Sequence, residues 1–164
     1  MEIITKTIKE IIPKIKKIKT FENAEEYTQK LINEFDFKED ICVIENKYIV
    51  TKDGKVYTVY FNKKGIRQQK ARKHSNGYLR ATIYGKDIYI HRLVAMCFIP
   101  NSNNYKEISH EDNNKTNNTI SNLKWCTRSY NNKKMFIDGI RTSEEMRRIS
   151  LIGRKKHEKA RNYI

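Results

Sequence analysis

The sequence predicts an α+β fold, with a ββα unit preceded by a small antiparallel sheet, a helical N-terminal segment and a basic helical tail. Three observations predict it. Strand-type residues with turn dipeptides fill 41–90. A histidine, an asparagine-rich loop, a second apolar run and a helix start follow one another between 107 and 135. Positive charge concentrates after residue 40: residues 1–40 hold eight Lys against nine acids, whereas 41–164 hold 26 Lys/Arg against ten. The expected organisation is therefore a helical segment at 1–40, a basic β-rich region at 41–90, the ββα core at 91–135 and a basic helical tail at 136–164.

At the start of the chain, isoleucines at 4, 8, 11, 15 and 18 alternate spacings of four and three, as one face of a helix does. Pro13 should break it. A second helix is expected from Asn23 to about Phe35. Asn23 would be its N-cap, Glu26 would stand three residues on, and Ala24, Tyr27, Leu31 and Phe35 would form its apolar side.

Residues 47–51 and 55–61 are β-formers on either side of Lys52-Asp53-Gly54, a hairpin signal. A second hairpin is expected from 78–84 and 87–90 across Gly85-Lys86. Such a sheet either lies along a nucleic-acid groove or supports the next element. Between the hairpins stand Lys63, Lys64, Arg67, Lys70, Arg72 and Lys73, followed by Arg80, with no acid from 63 to 80. Seven cations without a neutralising partner favour contact with phosphates.

Residues 91–98 suit a short helix with Leu93, Val94, Cys97 and Phe98 on its core face, ended by Ile99-Pro100. His91 is expected as a helix-start cap or a phosphate contact, and Trp125 as core beneath the hairpin. Glu107–His110 and Lys124–Thr127 read as two strands. The asparagines between them suit turns, because Asn tolerates left-handed backbone. His110, Asn122 and Asn131 are spaced by twelve and nine residues. A histidine near neutral pKa can take a proton from water. An amide oxygen such as that of Asn131 can help hold Mg²⁺, which prefers oxygen ligands and keeps several waters. Asn122 can brace the loop and fix the histidine.

At these residues the chain resembles the HNH endonucleases of phage and intron homing type. The likeness runs from Tyr89-Ile-His91-Arg92-Leu-Val-Ala95 and Phe98-Ile-Pro-Asn101, through Ser109-His110-Glu-Asp112 and Asn117-Asn118, to Asn122-Leu123-Lys-Trp125 and Asn131. The block from Val50 to Leu79 is similar to the β-rich segment that often precedes this motif, and the tail from Arg141 to Lys156 resembles small modular DNA-binding motifs. The resemblance implies a ββα-metal (His-Me finger) nuclease core and metal-dependent DNA cleavage, by nicking. It makes His110 the general base, Asn122 the structural middle residue and Asn131 a metal ligand. The residue before the histidine, usually Asp or Asn in the family, is Ser109, a weaker ligand for Mg²⁺ or Mn²⁺. That departure sustains a second reading, a DNA-binding protein that keeps the scaffold and has lost cleavage.

The expected partner is double-stranded DNA, met by Lys63, Lys64, Arg67, Lys70, Arg72, Lys73, Arg80, Arg92, Lys115, Arg128, Lys133, Lys134, Arg154, Lys155 and Lys156. No apolar run reaches the ~20 residues of a membrane span, and Met1-Glu-Ile-Ile-Thr5 lacks a basic n-region and apolar h-region, so a secretory signal is not expected. Cys42, Cys97 and Cys126 form no C-x-x-C pair, so zinc is not expected and the thiols suit a reducing, intracellular setting. No small-molecule cofactor is expected, a monomer is favoured over a dimer, and the Lys, Asn and Ile bias suggests a phage or viral source.

Overall fold

A computed structural model describes residues 3–6, 23–61, 65–140, 142–145, 147, 148 and 150–152. β1 (Ile3–Lys6), β2 (Ile41–Ile44), β3 (Tyr48–Thr51), β4 (Val56–Tyr60) and β5 (Gly65–Gln68) form one sheet in that order. β1 runs parallel to β2, with Ile3 opposite Ile41, and every other pair is antiparallel. The start of the chain thus corrects the helical expectation: 3–6 is extended. Its partner strand lies almost forty residues away, so no local pattern announces the pairing. Ile8, Ile11, Pro13, Ile15 and Ile18 lie outside the described residues.

Between β1 and β2, α1 (Ala24–Phe35) crosses one face of this sheet. Asn23 precedes it in left-handed backbone and makes no side-chain cap bond, so the expected capping box is absent. Glu25 and Glu26 still complement the helix dipole in the first turn. The buried stripe is Thr28, Leu31 and Ile32; Phe35, expected inside, is exposed. Thr28 is accommodated because its Oγ1 donates to the Asn46 carbonyl at 2.7 Å.

Alternation along the strands shows why the first sheet has no free face. Ile41, Val43, Ile49, Tyr57 and Val59 pack beneath α1 with Leu31, Ile32 and Phe37. Their neighbours Cys42, Ile44, Tyr48, Val50 and Val56 pack on the opposite side against a second layer. That layer holds β6 (Arg72–Lys73), β7 (Leu79–Ile83) and β8 (Lys86–Tyr89), a separate three-stranded sheet, and α2 (Ile90–Phe98). Residues 41–90 therefore build two sheets, not one, and the first supports the second layer through its inner face.

The core of α2 is Ile90, Leu93, Val94, Ala95 and Cys97. Ile99 turns to extended backbone ahead of Pro100 and ends the helix. After it come β9 (Glu107–His110), a 3₁₀ turn at Ile120–Asn122, β10 (Leu123–Cys126) and α3 (Arg128–Ile137). β9 and β10 pair antiparallel, with His110 opposite Leu123 and Ser109 opposite Lys124. Trp125 is half-buried across this hairpin and donates from Nε1 to the Ile99 carbonyl at 3.0 Å. The three cysteines are buried and free. In the tail, Thr142 and Glu145 form a reciprocal capping pair, with Glu145 N–H donating to Thr142 Oγ1 at 3.2 Å and Thr142 N–H to Glu145 Oε2 at 2.8 Å.

The β3–β4 turn joins the first sheet to the ββα unit. Ile120 N–H donates to the Lys52 carbonyl at 2.9 Å. Gly54 has φ of +85°, and a Cβ there would stand 2.9 Å from Asn118 Cβ and 3.1 Å from its carbonyl oxygen. Both the backbone and the contact demand glycine. Gly54→Val is expected to cost about 2–4 kcal/mol, from left-handed strain and overpacking together. Urea unfolding checks this, and a loss under about 0.5 kcal/mol would contradict the close approach.

Candidate active site

The loop between β9 and β10 is held by its own side chains. Asn122 Oδ1 accepts from Asp112 N–H at 2.9 Å, while its Nδ2 donates to Asp112 Oδ1 and to the Asn117 carbonyl, both at 2.8 Å. Glu111 N–H donates to the Asn122 carbonyl at 2.9 Å. Asn122 thus ties the two ends of the loop together, the brace expected of it. Asn117 Nδ2 donates to Asp112 Oδ2 at 2.7 Å, and this bond leads the causes that hold the Asp112 carboxyl below its ordinary value. Asn114 and Asn117 accept from residues two positions on, the local turns that Asn favours. Asn113 sits at φ +59°.

Strand alternation places Ser109 and His110 on opposite faces of the hairpin. Ile108 and Leu123 share the His110 face and pack with α2. Lys124 shares the Ser109 face, and its Nζ lies 5.2 Å from the Tyr130 ring of α3. So Ser109 looks toward α3, whose first turn carries Asn131, half-buried. Thr127 caps that helix by accepting from Tyr130 N–H at 3.1 Å.

His110 lies in an aromatic setting. Its ring centre is 5.2 Å from His91 and 5.7 Å from Tyr78. Nε2 is 3.2 Å from Asn118 Oδ1. Burial pushes its pKa down, opposed by the Asn118 bond and by nearby Asp112. The shift favours the neutral imidazole, the form a base requires.

His91 corrects its expectation. It is buried at the second residue of α2, stacked on Tyr89 at 5.5 Å and tilted to Tyr78 at 4.8 Å, and it does not cap the helix. Its Nδ1 is sealed and has no hydrogen-bond partner. Burial first, then His110 and Arg92, push its pKa down to about 3. Unfolding restores the ordinary value of 6.5, so the unfolded chain takes up a proton that the fold refuses. This stabilisation is complete above pH 6.5 and declines as pH falls toward 3. The expected slope is about 1.4 kcal/mol per pH unit from this residue, with His110 acting in the same direction. Urea unfolding between pH 7.5 and 4.5 measures it. His91→Phe should flatten the profile, and an unchanged slope would contradict the buried, neutral ring.

The basic residues divide into two groups. Arg67, Lys70, Lys73, Lys115, Arg128 and Lys133 are exposed. Arg72 is also exposed, yet it pairs with Asp87, which Arg80 meets at 3.5 Å. This corrects the picture of an unneutralised loop, since the acid comes from β8, across the second sheet. Arg92 donates to the Lys106 carbonyl at 3.1 Å and lies over Trp125. Lys134 donates to the Glu111 carbonyl at 2.9 Å and pairs with Asp138, locking α3 to the loop. Both are engaged within the fold. Lys115 reaches the Asn76 carbonyl at 3.0 Å, over the Tyr78 ring. Lys63, Lys64, Arg154, Lys155 and Lys156 lie outside the described residues.

Sequence reasoning did not single out Asn118 or Tyr78 as site residues, and it did not place His91 beside His110. The resemblance block contains Asn118 and His91, but nothing local distinguishes Asn118 from the asparagines around it. Among the described residues, no three of His, Cys, Asp and Glu gather as a metal cluster. The oxygens on offer are Ser109 Oγ, sealed and without a partner, and the Asn131 amide. Neutral oxygens suit a hard cation held largely by water and phosphate.

Residues 88–133 match the family model described as HNH endonuclease. Over 124 residues the chain is 31% identical to the DNA endonuclease I-HmuI of Bacillus phage SP01, covering 71% of this chain and 67% of the relative. It is 47% identical over 90 residues to the uncharacterized HNH endonuclease L245 of Acanthamoeba polyphaga mimivirus, covering 52% of this chain but only 26% of that protein. A solved structure of DNA binding and cleavage by the HNH homing endonuclease I-HmuI superposes with a TM-score of 0.51 at 29% identity, covering 66% of this chain and 62% of that one.

Proposed function

Because this chain belongs to the HNH endonuclease family, we propose that it is a homing-type DNA endonuclease. It hydrolyses a phosphodiester with His110 as general base and one divalent cation, Mg²⁺ or Mn²⁺, and nicks one strand per encounter. The observation that carries this reading is His110 itself, a buried imidazole held by Asn118 on a hairpin whose loop is braced by Asn122.

In this mechanism His110 removes a proton from water as the oxygen attacks phosphorus in line. The bond from phosphorus to the 3′ oxygen breaks. Asn131, with water and the phosphate, would hold the cation, and Ser109, whose Oγ is sealed on the face away from His110, would have to open to join it; the cation would offset charge on the phosphate and the departing oxygen. His91 and Tyr78 wall the imidazole and limit its rotation. Arg67, Lys70, Lys73, Lys115, Arg128 and Lys133 supply salt-dependent affinity for the DNA backbone. No helix among the described residues is long and apolar enough to cross a membrane. The named relatives come from a phage and a giant virus, which supports a viral source for this chain.

One observation favours the second reading, a DNA-binding scaffold without cleavage: Ser109 is neutral where the family places a stronger ligand. A supercoiled plasmid population with random inserts separates the two readings. Cleavage predicts open-circular product with Mg²⁺ or Mn²⁺ and none with chelator. Plasmid left intact while still bound would establish the scaffold reading.

A further inference from the structure

We propose that Asn118 is the positioning residue of His110: its side-chain carbonyl holds the imidazole as the Nε2–H tautomer and so presents the Nδ1 lone pair as the base. The inference rests on His110 being the base and adds which nitrogen acts and what selects it.

The amide orientation follows from its two bonds. Asn118 Nδ2 donates to the Thr116 carbonyl at 3.3 Å, which turns Oδ1 toward His110 Nε2 at 3.2 Å. An amide oxygen only accepts, so the hydrogen of this bond resides on Nε2. Asn118 and His110 are 3% and 6% exposed, so little water competes for the bond. Among the described residues Nδ1 of His110 has no hydrogen-bond partner, and unlike Nδ1 of His91 it is not among the fully sealed atoms. One ring nitrogen of His110 is thus occupied, and the other is left for water.

Asn118 is itself held from outside the ββα unit. The Gly54 turn of the first sheet stands against its Cβ and carbonyl, and Lys52 anchors the chain two residues on through Ile120. The β3–β4 turn therefore fixes the amide that fixes the ring. This gives the first sheet a part in orienting the base.

Long-range ¹H–¹⁵N NMR of the imidazoles tests the proposal without DNA or metal. The chain has four histidines, and His110→Ala identifies the signal of interest. At pH 7.5 the wild type should show His110 as the Nε2–H tautomer. Asn118→Leu should shift it toward a mixture and lower kcat about tenfold to a hundredfold with little change in KM for DNA. Asn118→Asp, which keeps an acceptor, should restore the tautomer. An Nδ1–H tautomer in the wild type, or an unchanged tautomer in Asn118→Leu, would overturn the proposal. Because the tautomer is read directly, it decides the role of Asn118 even if the wild type cuts no DNA, an outcome that would count against the endonuclease reading alone.

Discussion

His110→Ala will lower single-turnover strand cleavage by about a thousandfold while leaving DNA affinity nearly unchanged, because only the proton acceptor is removed. No described neighbour can take its place. His91, 5.2 Å away, is sealed at Nδ1, and burial pushes its pKa down to about 3, which makes it too weak a base to replace His110. Asp112 is fully engaged by Asn114, Asn117 and Asn122 and is a weak base. The variant also leaves Asn118 Oδ1 without a partner, so it should lose about 1–3 kcal/mol of stability. Cleavage is therefore compared at a temperature where urea unfolding shows both proteins folded. Equal cutting by the variant would remove His110 from the chemistry.

Ser109→Asp is expected to act in the opposite direction. A carboxylate facing α3 and Asn131 would raise affinity for Mg²⁺ by about tenfold or more, since ligand charge is a main determinant of affinity at oxygen sites. The midpoint of a Mg²⁺ titration of cleavage should fall accordingly. Without metal the same change should destabilise the protein, because Ser109 is 1% exposed and a buried carboxylate lacking a partner is costly. Thermal unfolding with and without Mg²⁺ should thus diverge far more for the variant than for the wild type. An unchanged midpoint would show that position 109 does not face the cation.

What the sequence made legible was local. The 48–60 hairpin, the helix ending at Ile99-Pro100 and the Asn122 brace all follow from neighbours within a few residues or from one loop. The features it hid depend on distant partners. Ile3 pairs with Ile41, Asp87 reaches back to Arg72, and Gly54 presses on Asn118. His91 illustrates the same limit: at the first turn of a helix it reads as a cap, and only the packing of Tyr78, Tyr89 and His110 around it makes it an interior ring. The asparagine run concealed Asn118 for a different reason. Most of its members serve turns, and composition does not show which one looks inward.

A sheet enclosed on both faces also separates two evolutionary jobs. The strands β2 to β4 support the hairpin through packing, while exposed Arg67, Lys70, Lys73 and Arg128, the cations proposed to meet DNA, stand on peripheral segments. Those surface positions can drift to suit a new target without disturbing the base. The turn at Gly54 has no such liberty, because a side chain added there would press on Asn118 and, through it, on His110. Mutational scanning for altered target preference should therefore tolerate many substitutions on the exposed basic segments and almost none at that single glycine.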